Sequence, residues 1–156
     1  MLNSQDITDG TTRTHATQRV AEMLSRALDT GDLGTVGRLL SPDCECEDGA
    51  VYARGAESVL AFYRVAASWA ERGFDEVRHS SEVEHASGVA ARAAVTTYVM
   101  RVPGRWHRLQ HAREISVNPS GRVVKIVHSC QAAAAVAFRA FVRDCGTSPP
   151  PAGFGT

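Results

Sequence analysis

The sequence predicts an α+β fold: helices first, then a curved antiparallel sheet, then one more helix. Two observations carry this. Apolar residues recur at helical spacing as far as Gly73 and at a period of two from there to Cys130. The period-two stretch is interrupted by Ser87-Gly88, Pro103-Gly104 and Asn118-Pro119-Ser120-Gly121. Each is a turn signal, because Gly supplies positive φ, Pro fixes φ and Asn tolerates the left-handed region. Helices followed by strands is the α+β order. Three helices laid on one face of a strongly bent meander would enclose a cone.

Element by element, residues 1–13 are rich in Thr, Asp, Gly and Asn and are expected to form a disordered leader. The domain proper is expected over 14–131. From His15, the residues Val20, Met23, Leu24, Ala27 and Leu28 form one apolar stripe. Gly31 ends that helix, and Asp32 can cap the next, whose buried face is Leu33, Val36, Leu39 and Leu40. Ser41-Pro42 stops it. Residues 43–53 read as short and extended, with a turn at Asp48-Gly49. A long helix is expected from Ala56 to Arg72, with Val59, Leu60, Tyr63, Ala66, Ala67 and Trp69 inward and Gly73 as its stop. Strands follow over 75–86, 89–102, 105–117 and 122–130. Residues 132–145 form an alanine-rich helix with Val136, Phe138, Phe141 and Val142, and 146–156, with three consecutive prolines, a loose tail.

The bulk composition excludes several classes. At 156 residues the chain is one domain, long enough for a core without metals or disulfide staples. A formal net charge of zero, with Lys125 the sole lysine, gives no electrostatic footprint for nucleic acid or an anionic membrane. The polar N-terminus lacks the apolar stretch of a signal peptide, and no apolar run is long enough to span a bilayer. Cys44, Cys46, Cys130 and Cys145 are expected to be reduced thiols, with Cys44 and Cys46 on opposite faces of an extended segment, and the compartment cytoplasmic.

Alternation assigns faces to the strands. In 105–117, His107, His111 and Arg113 share parity with Leu109, Ile115 and Val117. Trp106, Arg108, Gln110, Glu114 and Ser116 take the other face, suited to water or a dimer partner. In the last strand His128 and Cys130 go with Ile126, and in 75–86 His79 and Ser81 go with Val77 and Val83. The 89–102 strand is ambiguous, because Val95 and Val99 oppose Ala94, Thr96, Tyr98 and Met100. Ionisable groups on a core face are costly unless they meet partners, water or a ligand, so a polar-lined pocket is expected. His107 and His111 lie too far apart on a strand to share a metal ion, and no metal or cofactor is expected.

The stretch Ala27 to Arg64 reads ALDTGDLGTVGRLLSPDCECEDGAVYARGAESVLAFYR. Its D-x-G-D helix junction at Asp29 to Asp32, its Glu47-Asp48 pair and its R-G-x-E-x-V-x-x-F-Y helix entry at Arg54 to Tyr63 resemble the nuclear-transport-factor-2-like (NTF2-like) superfamily. SnoaL-like polyketide cyclases and ketosteroid isomerases are the nearest kinds. Asn118 to Val123 is similar to the family's final hairpin. The resemblance covers roughly 15–131. It implies a cone-shaped, cystatin-like curved sheet and puts Tyr98 and Met100 on the inner face. It sets Asp48 where ketosteroid isomerases keep their aspartate base. It departs at Leu24, where that family keeps its oxyanion-hole tyrosine, and at Arg113, where it keeps the partner acid. An arginine there could instead hold a developing enolate, alkoxide or phenolate.

These readings predict a cofactor-independent cyclase or isomerase working by acid–base catalysis on a polyketide-like or prenylated aromatic natural-product intermediate. Asp48 or His111 would move the proton, and Arg113 with Tyr98 would hold the oxygen. His79, Tyr52, Tyr63, Trp69, Met100, Leu109 and His128 would line the substrate pocket. An epoxide hydrolase or dehydratase, and a non-catalytic binding or assembly module, are the alternatives. A homodimer through the outer sheet face is expected from the resemblance.

Overall fold

In a computed structural model, residues 4–151 are described, with side chains from residue 8 onward. Four helices and six strands follow in the order α1 (Ser4–Thr30), α2 (Leu33–Leu39), β1 (Leu40–Asp48), β2 (Val51–Arg54), α3 (Ala56–Gly73), β3 (Glu76–Ser87), β4 (Ala90–Val102), β5 (Arg105–Val117), β6 (Val123–Ser129) and α4 (Ala132–Asp144). The sheet order is β2-β1-β6-β5-β4-β3, curved and unclosed. The architecture is α+β, with helices on the concave face. β3 to β6 form the antiparallel meander that the turn signals predict. One pairing departs from it: β1 runs parallel to β6, so the sheet is mixed. A parallel neighbour needs a long crossover, and everything from β2 to β5 supplies it.

α1 and α2 meet at Gly31, which takes φ 71°, a left-handed conformation open to glycine at little cost. Asp32 then caps α2, accepting bonds from Thr35 N at 3.0 Å and Thr35 Oγ1 at 2.6 Å. The main core lies between α1, α3 and the sheet, where Ala21, Leu24, Val59, Ile115 and Ile126 are buried together. A second cluster closes the end of the cone, where Phe138, Phe141 and Val142 of α4 pack on Trp69, Phe74, Val99 and Leu109. Phe138 is fully buried, and an apolar side chain of that size contributes about 2–3 kcal/mol.

Several expectations are corrected. α1 starts at Ser4, so the stretch expected to be a loose leader continues the helix; Met1 to Asn3 lie outside the described residues. Once a helix is nucleated, each further residue adds a bond at little cost. Thr12 and Thr14 also turn their hydroxyls back onto the carbonyls of Thr8 and Gly10. Met23 and Val136 are exposed rather than inward. Thr17, Ala21, Leu24 and Ser25 form the buried stripe of α1 instead. Cys44 and Cys46 are both buried on the inner face, as residues two apart on a strand must be. Both are free thiols, and burial pushes them up to about 12 and about 11.

The tail is not loose where it is described. Thr147 Oγ1 donates to Gly73 O at 3.0 Å, and Trp69 Nε1 donates to Ser148 O at 3.1 Å. The expected tail beyond residue 151 lies outside the described residues. Gly73 does end α3, but not through a positive φ. A Cβ there would stand 2.6 Å from Thr147 Cγ2, so glycine admits the tail.

Candidate active site

A cavity of about 360 Å³ opens between α1, α3 and the concave face of the sheet. Leu28, Leu33, Phe62, Val95 and Leu109 make much of its wall apolar; Asp48, Tyr63, His79, His111, Arg113 and His128 bring ionisable groups to it, and Asp29 and the exposed Arg64 and Glu71 also line it. Strand registry explains how distant residues meet. Asp48 of β1 pairs with His128 of β6, and His128 pairs with Arg113 of β5. The three stand in one row across adjacent strands, with His128 in the middle. At ordinary strand spacing the outer two are about 10 Å apart at their Cα atoms. A parallel row puts Leu109 opposite Thr97 and Thr97 opposite His79.

The electrostatics of this row are unusual for a protein interior. Arg113 is only 4% exposed, yet among the described residues it forms no ion pair. Its Nη1 donates to Ser25 Oγ at 3.4 Å, and its Nε has no partner. Glu47, the carboxylate next to Asp48, meets Lys125 Nζ at 2.9 Å instead. Asp48 is pushed up to about 6 by burial alone. His111 is lowered to about 4, first by burial, then by the Arg113 cation and His79. Burial, then Arg113, then His111 hold His128 well below the usual imidazole range. His79 lines the cavity as an exposed residue; desolvation by the protein around it lowers its pKa, against an upward pull from Asp29. At neutral pH the interior therefore carries neutral imidazoles beside one fixed cation.

Hydrogen bonds fix the orientation of most of these groups. Tyr63 Oη lies 2.9 Å from His128 Nε2, and burial holds the Tyr63 phenol well above its usual range, so it stays protonated. His79 Nδ1 lies 2.9 Å from Thr97 Oγ1. His111 Nδ1 is buried with no partner. Among the described residues, no three His, Cys, Asp or Glu side chains are placed to hold a metal ion.

Of the residues singled out from the sequence, Asp48, Tyr63, His79, Leu109, His111, Arg113 and His128 line the cavity. Four others do not. Tyr98 and Met100 lie on the outer face, because the buried positions of β4 are Ala91, Ala93, Val95, Thr97 and Val99. The Tyr98 ring instead lies under Arg108, 6.0 Å from its guanidinium carbon. Tyr52 is exposed on the short β2. Trp69 belongs to the core under α4, with its ring 5.4 Å from Phe74. Among the cavity residues that went unread in the sequence are Thr97 and Asp29. Thr97 shares parity with Val95 and Val99, and following those valines would have found it. Asp29, at the end of α1, accepts bonds from Ser81 N at 2.8 Å and Ser81 Oγ at 2.6 Å. No sequence pattern announces that contact across 52 residues.

No family model and no curated protein matches the sequence. Solved structures do match in fold. A protein from Jannaschia sp. CCS1, named as a SnoaL-like polyketide cyclase, is 13% identical with a TM-score of 0.64, over 88% of this chain and 96% of its own. An LEH-like epoxide hydrolase of M. tuberculosis is 20% identical with a TM-score of 0.58, over 77% of this chain and 86% of its own. The epoxide hydrolase/cyclase-like enzyme SalBIII, described for its role in pyran ring formation in the polyether salinomycin, is 12% identical with a TM-score of 0.60, over 75% of this chain and 92% of its own. At such identities the likeness is one of fold. The chain has the NTF2-like fold that these cyclase-like and epoxide-hydrolase-like proteins share.

Proposed function

We propose that the protein is a cofactor-independent cyclase or isomerase acting on a small polyketide-like or prenylated aromatic intermediate. The observation that carries this reading is the pairing of two chemically distinct groups on one cavity wall. Asp48, at about 6, is poised to take or give a proton near neutral pH. Arg113 is a buried cation whose donors are largely free.

In the reaction, the Asp48 carboxylate removes a proton from carbon next to a carbonyl. The C–H electron pair becomes an enolate whose oxygen is held by Arg113. The enolate carbon then attacks a second carbonyl, forming the ring bond, and the new alkoxide takes the proton back from Asp48. In an isomerisation the proton returns to a different carbon. Protonated Asp48 also suits epoxide opening, giving its proton to the epoxide oxygen as an internal hydroxyl attacks and taking back the proton that the hydroxyl loses, and the likeness to SalBIII favours keeping that variant. His111, neutral and lining the same cavity, brings a second imidazole to the substrate.

The test is exchange of the α-protons of 2-tetralone in heavy water, followed by NMR. Faster exchange with wild type than with buffer, lost in Asp48→Asn, supports the reading. Equal exchange in the two proteins sinks it. The outer face, with Tyr98 at 38% and Trp106 at 40% exposure, is proposed to hold a second copy of the chain. Sedimentation of wild type as a monomer at micromolar concentration would remove that proposal.

A further inference from the structure

Arg113 sets the charge of the cavity. Among the described residues it is the one charged side chain that is fully buried. A guanidinium has five N–H donors. Arg113 makes one bond, to Ser25 Oγ at 3.4 Å, near the limit for a hydrogen bond, and its Nε makes none. The carboxylates that line the cavity do not serve it. Asp29 is committed to Ser81, and Glu71 is exposed on α3. Asp48 lies two strands away. Its pKa is raised by burial with no opposing pull from a cation, which a paired arginine would exert. His79, His111 and His128 cannot neutralise Arg113 either, since an imidazole is either neutral or a second cation. Burying an unpaired charge is among the most expensive things a fold can do, and Arg113 lines the cavity, with its Nε sealed behind it and its terminal nitrogens left to meet a ligand.

We infer that the ligand of this cavity is an organic acid, an apolar body carrying one carboxylate, bound as the anion by Arg113. Arg113 is the one buried cation of the lining, since Arg64 is exposed on α3, and one buried cation calls for a monoanion. The planar fork of a guanidinium matches a carboxylate with two parallel hydrogen bonds. The walls of Leu28, Leu33, Phe62, Val95 and Leu109 call for an apolar body. With its carboxylate on Arg113, the body extends along the row past His128 towards Asp48, so the carbon offered to Asp48 lies several bonds from the acid group. A carboxylate on the two terminal nitrogens, beside the Ser25 bond, leaves one terminal donor for the oxygen on which charge develops. This inference names the substrate class of the proposed active site. It rests on the cavity being the working site and is independent of Asp48 as the proton carrier.

The test uses two acid–amide pairs of matched shape, 2-naphthoate with 2-naphthamide and 4-phenylbenzoate with 4-phenylbenzamide, measured by calorimetry at pH 7.5. The expected result is that at least one acid binds wild type about tenfold or more tighter than its amide. Arg113→Gln should lose that preference and Asp48→Asn should keep it. The inference is overturned if neither acid outbinds its amide in wild type, or if the preference survives in a folded Arg113→Gln. The wild-type comparison decides alone should that variant not fold. Acid binding retained while tetralone exchange fails would sink the proton-transfer reading and leave this one standing. Exchange by Asp48 without acid preference would do the reverse.

Discussion

The phenol oxygen of Tyr63 lies 2.9 Å from Nε2 of His128 and ties α3 to the central strand of the Asp48–His128–Arg113 row. Both groups are neutral at physiological pH, so this is a hydrogen bond between uncharged partners whose direction follows the tautomer of His128. Tyr63→Phe keeps the ring and its edge contact with Phe62, centroid to centroid 5.3 Å, but leaves Nε2 unpaired. An orphaned buried polar group costs about 1–3 kcal/mol. Urea unfolding should show that loss. A loss below about 0.5 kcal/mol would mean that water replaces the phenol at Nε2.

Asp48 should give the chemistry an acid limb. As the base it is active when ionised, so kcat/KM, or the tetralone exchange rate, should rise with pH through an apparent pKa near 6 and flatten above it. Asp48→Asn should remove both the activity and the limb. The stability effect has the opposite sense. The folded-state pKa lies above the unfolded value of 3.8, so the folded protein holds a proton that the unfolded chain releases between 3.8 and about 6. That stabilisation is complete below 3.8 and is lost as pH rises through 6. Asp48→Asn should therefore be more stable than wild type at pH 7.5, on the order of 1–2 kcal/mol after allowance for partial solvent access, and equal to it near pH 3.5. A flat difference across that range would place Asp48 in water.

Arg113 makes the clearest trade of stability for function. Methionine is of similar length and needs no counter-charge, so Arg113→Met should raise the unfolding free energy of the ligand-free protein by about 1–3 kcal/mol. It should also weaken the acid limb of stability. His111 and His128 sit below their ordinary range in the folded state, partly because of the Arg113 cation. The unfolded chain therefore takes up protons first as pH falls from 6.5 towards 4, and wild type loses stability over that window. Without the cation the imidazoles return towards 6.5 and the loss shrinks. Urea unfolding at pH 7.5 and pH 5 checks both claims. A large destabilisation at pH 7.5 would mean that the guanidinium is held by its own fold rather than waiting for an anion.

Much of the fold was legible because period and turn chemistry agree. The hairpins at Gly88, Gly104 and Gly121 fall where the turn residues put them, each glycine with positive φ. The inner faces of β3, β5 and β6 followed their aliphatic residues, and the cavity set His79, His111, Arg113 and His128 came with them. β4 went wrong because its inner positions Ala91, Ala93 and Thr97 are small or polar, while the outer Tyr98 and Met100 are large. Size on that strand points away from the core, so the two valines were the better guide. Trp69 was misplaced for another reason: α4 covers it, and a helix's docking site is not written in its own periodicity. The register that sets Asp48 beside His128 comes from the parallel β1–β6 pair, a contact across about eighty residues with no local signature.

Gly73 offers a test of how the tail is seated. In an exposed helix, Gly→Ala stabilises by about 1 kcal/mol. Here the added methyl would meet Thr147 Cγ2 at 2.6 Å, and Thr147 cannot simply swing away, because its hydroxyl is bonded to Gly73 O. Gly73→Ala alone should therefore destabilise by about 1 kcal/mol or more and release Ser148 from the Trp69 indole, visible as a change in tryptophan fluorescence. Thr147→Ser removes the obstructing methyl and keeps the hydroxyl. In that background Gly73→Ala should become neutral or stabilising by up to about 1 kcal/mol, because helix propensity then acts unopposed. The sign reversal is a coupling between two neighbouring residues that a double-mutant cycle reads directly. Equal effects of Gly73→Ala in the two backgrounds would mean that the tail does not rest on α3 in solution, and that the end of the cone is closed by α4 alone.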